Sequence, residues 1–287
     1  MLTRRRFLTI AAAGAACPAG AAPSVWRGRA LGADVTLRLA GAPDPAGRIW
    51  RRVERLLRGI EAEFSLFRDS SLTRLNRDGR LAWPSPEMLA LLDLAGRVHA
   101  ATGGAFDPTV QPLWQAVARG GDPAPARDLT GWDGLRIAKD EIALRPGMAL
   151  TLNGIAQGHA ADRLAALLRA EGFAEVLIDA GELRALGRNG TRDWQAGIAG
   201  PDGALLDRIS LADRALATSS PMGTRIGRGQ PHILHPDGRG TRWNTVSVSA
   251  GSAALADALS TGFCLMSRAE IERALGRFAG ARLEYLG

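Results

Sequence analysis

The chain is poor in cysteine, lysine and tyrosine. Its 287 residues include two cysteines (Cys17 and Cys264), one tyrosine (Tyr285) and one lysine (Lys139). Two cysteines cannot build a disulfide framework, and no cysteine pair has zinc-site spacing. Cys264, between Phe263 and Leu265, is expected to pack as a small apolar residue. Aromatics make up only 5% of the chain, and no basic run is interleaved with them, which argues against a nucleic-acid partner. The net charge of +7 is carried almost wholly by arginine, part of it in Arg4, Arg5 and Arg6. This excess reads first as codon bias, although arginine is well suited to gripping phosphate.

Several catalytic signatures are missing as well. G-x-G-x-x-G after a strand and G-x-x-x-x-G-K-[ST] are absent, so neither a dinucleotide-binding Rossmann site nor a P-loop is supported. His99, His159, His232 and His235 do not form H-E-x-x-H, and the absence of G-x-S-x-G removes an α/β-hydrolase nucleophile elbow.

What is present begins with a leader. Met1-Leu2-Thr3-Arg4-Arg5-Arg6-Phe7-Leu8-Thr9-Ile10, then an Ala/Gly run to Ala22, form a basic start, a short apolar stretch and small residues, as in an export signal. Adjacent arginines followed by Phe and Leu point to the twin-arginine route and a periplasmic destination. Residues 1–22 are therefore expected to be removed, leaving 23–287 as the working domain. Gly14-Ala15-Ala16-Cys17 is a poor lipoprotein box, so cleavage near Ala22 is favoured over lipid attachment at Cys17. Nothing else is long and apolar enough to span a bilayer, and a soluble mature chain without a transmembrane segment is expected.

With 46% hydrophobic residues the chain can bury one large core or two intimate lobes. Val25 to Leu39 alternates weakly as strand. Pro43-Asp44-Pro45 opens an arginine-rich helix whose Ile49, Val53, Leu56, Leu57 and Ile60 follow the helical period. Ser65 to Asn76 reads as loop and turn. Ser85-Pro86-Glu87 starts a helix through Ala100. Loops follow at Thr102–Pro108 and Gly120–Arg127. Strand-like pieces lie around Leu135–Leu152, a helix over Ala156–Glu171 and a strand at Val176–Ile178. Hairpins run through Ile209, and a strand at Val246–Val248 precedes a helix. A last helix over Ile271–Phe278 and a strand at Leu283–Tyr285 complete the chain. Helices and strands mix without a βαβ repeat, which predicts an α+β fold.

Within the Ala256–Thr261 helix, Asp257 and Thr261 stand four apart, so both oxygens project from one face a turn apart. Such a pair on an otherwise apolar face suits a hard cation such as magnesium. It also suits, and on this segment alone more readily, a buried Asp capping a loop and a Thr bonded to its own helix.

Five segments complete the pattern: Phe64–Asn76; Gly104-Ala105-Phe106-Asp107-Pro108-Thr109; Leu152-Asn153-Gly154-Ile155-Ala156-Gln157-Gly158-His159-Ala160-Ala161-Asp162 through Asp179-Ala180-Gly181-Glu182; Ala217-Thr218-Ser219-Ser220 with His232-Ile233-Leu234-His235-Pro236; and Ala256–Thr261. In order and spacing these resemble the ApbE family, the FAD:protein FMN transferases, over essentially the whole mature chain.

The resemblance implies an exported two-lobed enzyme that binds FAD and Mg²⁺. It would split the pyrophosphate and attach FMN through a phosphoester to a Thr or Ser of a target, a flavin-accepting protein of an electron-transfer system, with AMP leaving. Asp257, Thr261 and a carbonyl mapping to Gly154 would hold the metal; a simple turn is the other reading of Gly154. Leu31, Phe67, Ala105, Phe106, Asp107, Thr151 and Gln157 correspond to FAD contacts. For Phe67 core packing competes, and for Asp107 a cap on the turn at Pro108. His232 would take the proton of the target hydroxyl, or else fix its loop. Asp162 reads as a solvated charge. Departures from the family pattern are Gln157 for Lys, His159 for Tyr, Ala180-Gly181-Glu182 for a Gly-Gly pair and an acid, Ser219-Ser220 for Ser-Gly, and His235 for Asp. An FAD carrier without turnover and an FAD pyrophosphatase yielding FMN and AMP are the competing functions.

Overall fold

Alternating burial along the first residues makes a β-hairpin rather than one long strand. The computed structural model describes residues 24–40 and 47–287. The leader with Cys17 and the Pro43-Asp44-Pro45 helix opening lie outside the described residues. Strands β1 (Ser24–Ala30) and β2 (Ala33–Leu39) pair antiparallel around a turn at Leu31-Gly32, both with positive φ (51° and 76°). Reversal there splits the single stretch expected over Val25–Leu39 into two strands.

Helix α1 (Arg48–Phe64) follows, burying Ile49, Val53, Leu57, Ile60 and Phe64 at helical spacing. The expected loop after it is in part a helix, α2 (Ser71–Asp78). Ser70 and Thr73 form a reciprocal cap at its start, and Gly79 ends it with φ 72°. Next come β3 (Arg80–Ala82), α3 (Pro86–Ala101), α4 (Gln111–Ala118) and the one-turn α5 (Ala124–Arg127). The sequence reading had no helix at α4, because Pro112 obscures the period; a proline in the first turn costs the helix nothing. Beyond lie β4 (Leu135–Ile137), β5 (Glu141–Leu144), α6 (Ala156–Ala170), β6 (Val176–Asp179), β7 (Leu183–Leu186), β8 (Trp194–Ala199), β9 (Leu205–Leu211) and β10 (Ala215–Ser219). The chain ends with β11 (Arg225–Ile226), β12 (Gln230–Pro231), β13 (Val246–Ala250), α7 (Ala253–Phe263), α8 (Arg268–Leu275) and β14 (Arg282–Leu286). α8 starts earlier than expected, because Ser267 and Glu270 form a capping box.

The main sheet has seven strands in the order β1-β2-β6-β7-β10-β13-β14, and each neighbouring pair is antiparallel. One face packs on α1 and α6 through Val35, Leu37, Leu39 and Ile178 against Val53, Leu57, Leu164 and Leu168. Leu177, Leu183 and Leu216 on the other face meet Trp194 and Ile198 of the β8–β9 hairpin. A further core joins α2, α3 and the β3-β5-β4 sheet to Leu259 and Phe263 of α7. The architecture is mixed helix and antiparallel sheet, the α+β class expected.

α7 lies between α6 and strands β10 and β13. Small residues let it come close: a Cβ on Gly158 of α6 would stand 2.2 Å from the Ala253 carbonyl oxygen. At this crossing the two helices cap one another. Asp162 of α6 accepts from the Ala253 and Ala254 amides (2.9 and 3.0 Å) and from the Ser252 hydroxyl (2.7 Å). Asp257 of α7 accepts from the Gly158 amide in the first turn of α6 (3.2 Å). Each carboxylate satisfies otherwise unpaired donors at the positive end of the other helix. Asp162 is thus a cap rather than the solvated charge expected, and it also lies 3.4 Å from the Arg184 guanidinium.

Candidate functional site

Residue parity along β10 aims the site. Ala215, Ala217 and Ser219 share the face toward α7, so the Ser219 hydroxyl meets Ser260 (2.8 Å) and Thr261 (3.4 Å). Thr218 points to the opposite face and pairs with Ser247 (2.7 Å), while its amide donates to Glu182 (3.3 Å). Above these residues opens a cleft of about 840 Å³, within the roughly 300–1,000 Å³ of small-molecule sites.

Asp257 and Thr261 both line this cleft from α7, one turn apart. Gly154 lines it from the loop before α6, and a Cβ there would stand 3.1 Å from both Oγ1 and Cγ2 of Thr261 and 3.4 Å from the Phe106 ring. A side chain at Gly154 would fill the space beside the Thr261 hydroxyl, which glycine leaves open. The Asp257 carboxylate and the Thr261 hydroxyl are oxygen donors of the kind a hard dication takes. No cluster of three His, Cys, Asp or Glu side chains suited to a metal occurs among the described residues.

The loop after α3 forms a second wall. Thr102 donates to the Val98 carbonyl (2.8 Å) and accepts from the Phe106 amide (3.1 Å), while His99 Nδ1 lies 3.0 Å from the Phe106 carbonyl. These bonds hold Ala105, Phe106 and Asp107 at the cleft. Asp107 caps the turn at Pro108, accepting from the amide and hydroxyl of Thr109 (2.8 and 2.7 Å). Thr151 reaches the same wall, its amide bonded to the Pro108 carbonyl (2.8 Å).

Phe67 is 61% exposed and borders the cleft, so it is not a core residue. Its ring lies against the Leu31-Gly32 turn, 3.2 Å from where a Gly32 Cβ would be. Leu31 and Gln157 stand apart from the other expected flavin contacts. Ala30 and Gly32 border the cleft, whereas Leu31 is buried behind it. Gln157 is 1% exposed; its Nε2 donates to the Leu31 carbonyl (3.4 Å), and its Oε1 has no hydrogen-bond partner among the described residues.

His232 lines the cleft with Nδ1 2.8 Å from the Pro221 carbonyl and 3.2 Å from that of Thr224. Carbonyls only accept, so Nδ1 carries the proton and Nε2 is the basic nitrogen of the neutral ring. His235 is buried away from the cleft lining, its Nδ1 2.6 Å from Asp237, and burial holds its pKa below the ordinary imidazole value. A carboxylate therefore stands beside this position, supplied from two residues downstream. His159 lies edge-on to Phe64, and burial likewise lowers its pKa.

Glu182, 3% exposed, lines the cleft without having been singled out for a role. Its sequence signal was the acid closing Asp179–Glu182. Trp114, Gln111 and Gln115 were missed together with α4.

The chain is 29% identical over 238 residues to the FAD:protein FMN transferase of Salmonella typhimurium, covering 73% of this chain and 68% of that one. It is 28% identical over 229 residues to the enzyme of the same name from Escherichia coli strain K12, covering 69% and 65% respectively. The match thus spans about two thirds of these curated relatives' length. Among solved structures, the Flavin Transferase ApbE from Vibrio cholerae superposes with a TM-score of 0.76 at 25% identity over 89% of both chains. The ApbE family model matches residues 31–283, and the chain belongs to the ApbE family.

Proposed function

We propose that the protein is a magnesium-dependent flavin transferase that splits FAD and attaches FMN to a Thr or Ser hydroxyl of a target protein, releasing AMP. The observation that carries this reading is the oxygen set at the cleft floor: Asp257 and Thr261 a turn apart on α7, with Gly154 against the Thr261 hydroxyl. Asp257, Thr261 and the Gly154 carbonyl would hold Mg²⁺, which when bound supplies charge neutralisation at a pyrophosphate. The aromatic borders of Phe67 and Phe106 suit the flat faces of a flavin or adenine.

In the reaction, the target hydroxyl oxygen bonds to the flavin-side phosphorus. The bond from that phosphorus to the bridging oxygen breaks, and AMP departs with the electron pair. His232 Nε2 takes the hydroxyl proton, its tautomer held by the carbonyls behind Nδ1. The reciprocal helix caps hold α6 and α7 in register, which suits phosphoryl transfer, a reaction that depends on alignment of the groups. On our reading the basic, alanine-rich start resembles a twin-arginine leader and would send this activity to the periplasm, with a target in an electron-transfer system. No helix among the described residues is long and apolar enough to cross a membrane.

The test incubates the protein with FAD, MgCl₂ and a flavin-accepting domain, and follows covalent flavin fluorescence and AMP. Labelled acceptor with equimolar AMP is expected. FMN and AMP without label would replace transfer by hydrolysis, and intact bound FAD would leave a carrier.

A further inference from the structure

Next to the cleft, at the end of α4 and on the β11–β12 hairpin, the chain presents arginines. Arg119 stands one helical turn beyond Gln115, which lines the cleft from α4. Arg225 directly follows Thr224, another lining residue, and Arg228 is at the tip of the β11–β12 hairpin. The hairpin tip sits on the end of α4: a Cβ on Gly227 would stand 2.1 Å from the Val117 carbonyl oxygen, and one on Gly120 would stand 3.8 Å from Arg228 Nε. All three arginines are exposed.

Neither segment supplies an acid to answer them. Residues 108–121 and 215–236 contain no Asp or Glu. Asp122, the nearest acid in sequence to Arg119, turns its carboxylate to the Ala124 amide (2.9 Å). None of the three arginines is ion-paired to a described carboxylate. Some surface arginines elsewhere are matched, as in Arg97–Asp93 (3.2 Å) and Arg188–Asp193 (3.0 Å).

We propose that Arg119, Arg225 and Arg228 form a docking rim for an acidic segment flanking the hydroxyl that enters the cleft beside His232. The identity of the occupant rests on the transfer reading above; the charge of the rim does not. Arg225 and Arg228 belong to the hairpin that ends beside His232, and arginines with no acid in their own segment favour a partner carrying carboxylates. Such contacts act on encounter and orientation, and they weaken as salt screens them.

The test uses two fluorescein-labelled threonine peptides, one flanked by aspartates and one by lysines, titrated with the whole protein by anisotropy in low salt. The acidic peptide is expected to bind at least about tenfold more tightly, and to lose that advantage as salt is raised. The double variant Arg225→Glu/Arg228→Glu should abolish the preference, and Arg225→Gln/Arg228→Gln should reduce it, with FAD affinity unchanged in both. Equal binding of the two peptides, or a preference that survives charge reversal, overturns the proposal. So does binding to phosphatidylglycerol vesicles through these arginines without binding to the acidic peptide. Flavin transfer to the bound peptide is scored separately. Tight, charge-dependent binding without transfer by the native protein keeps the rim and rejects the transferase reading.

Discussion

At the residue scale, Asp257 has two duties that one substitution can separate. Its carboxylate accepts the Gly158 amide and also faces the cleft beside Thr261. Asp257→Asn keeps an acceptor oxygen of the same shape but removes the charge. AMP release in the Mg²⁺ assay should fall at least about 100-fold, while the urea midpoint stays close to that of the parent; an undiminished rate would remove Asp257 from the chemistry. His232→Asn should lower turnover by about 10²–10⁴-fold with the urea midpoint and FAD affinity kept. A merely structural His232 would instead lower stability and leave turnover of the folded fraction in place.

At the element scale, α6 and α7 hold the site in register, and their mutual caps are its mechanical basis. Asp162→Ala removes acceptors for two amides and a hydroxyl at the start of α7, and leaves Arg184 without its nearest carboxylate. A loss of about 2–3 kcal/mol in unfolding free energy is expected from urea titration. Asp162 lines no part of the cleft, yet turnover should fall too, because α7 carries both Asp257 and Thr261. Gly158→Ala strikes the same crossing from inside. Its new methyl meets backbone rather than a flexible side chain, so about 1–3 kcal/mol of destabilisation is expected.

At the scale of the whole molecule, two histidines couple the fold to pH. Burial holds both His159 and His235 below the ordinary imidazole pKa, most strongly through loss of hydration. Just below pH 6.5 the unfolded chain therefore binds more protons than the folded one. Their contribution is complete above about pH 6.5 and is lost as pH falls through the lower folded values. Urea midpoints should be flat from pH 8 to 7 and drop between pH 6.5 and 5. His159→Gln should shallow that drop, and a profile identical to the parent's would exclude His159 as a contributor.

Chain-local physics was readable before any fold was known. The 3.6-residue period of α1, the Ser85-Pro86 helix start, the α+β mixture and the Asp257–Thr261 pair depend only on neighbours a few positions apart. Where a local signal was masked, the reading failed: Pro112 hid α4, and the Ser70–Thr73 cap of α2 was taken for a turn. Folding in three dimensions alone decided that Gly154 meets Thr261, that Ser219 rather than Thr218 reaches α7, and that Asp162 and Asp257 cap each other's helices. It also put Gln157 behind the cleft wall and Glu182 within it. The physical reason is that these contacts join residues up to about a hundred positions apart. Strand order and helix crossing set those distances, and spacing along the chain does not encode them.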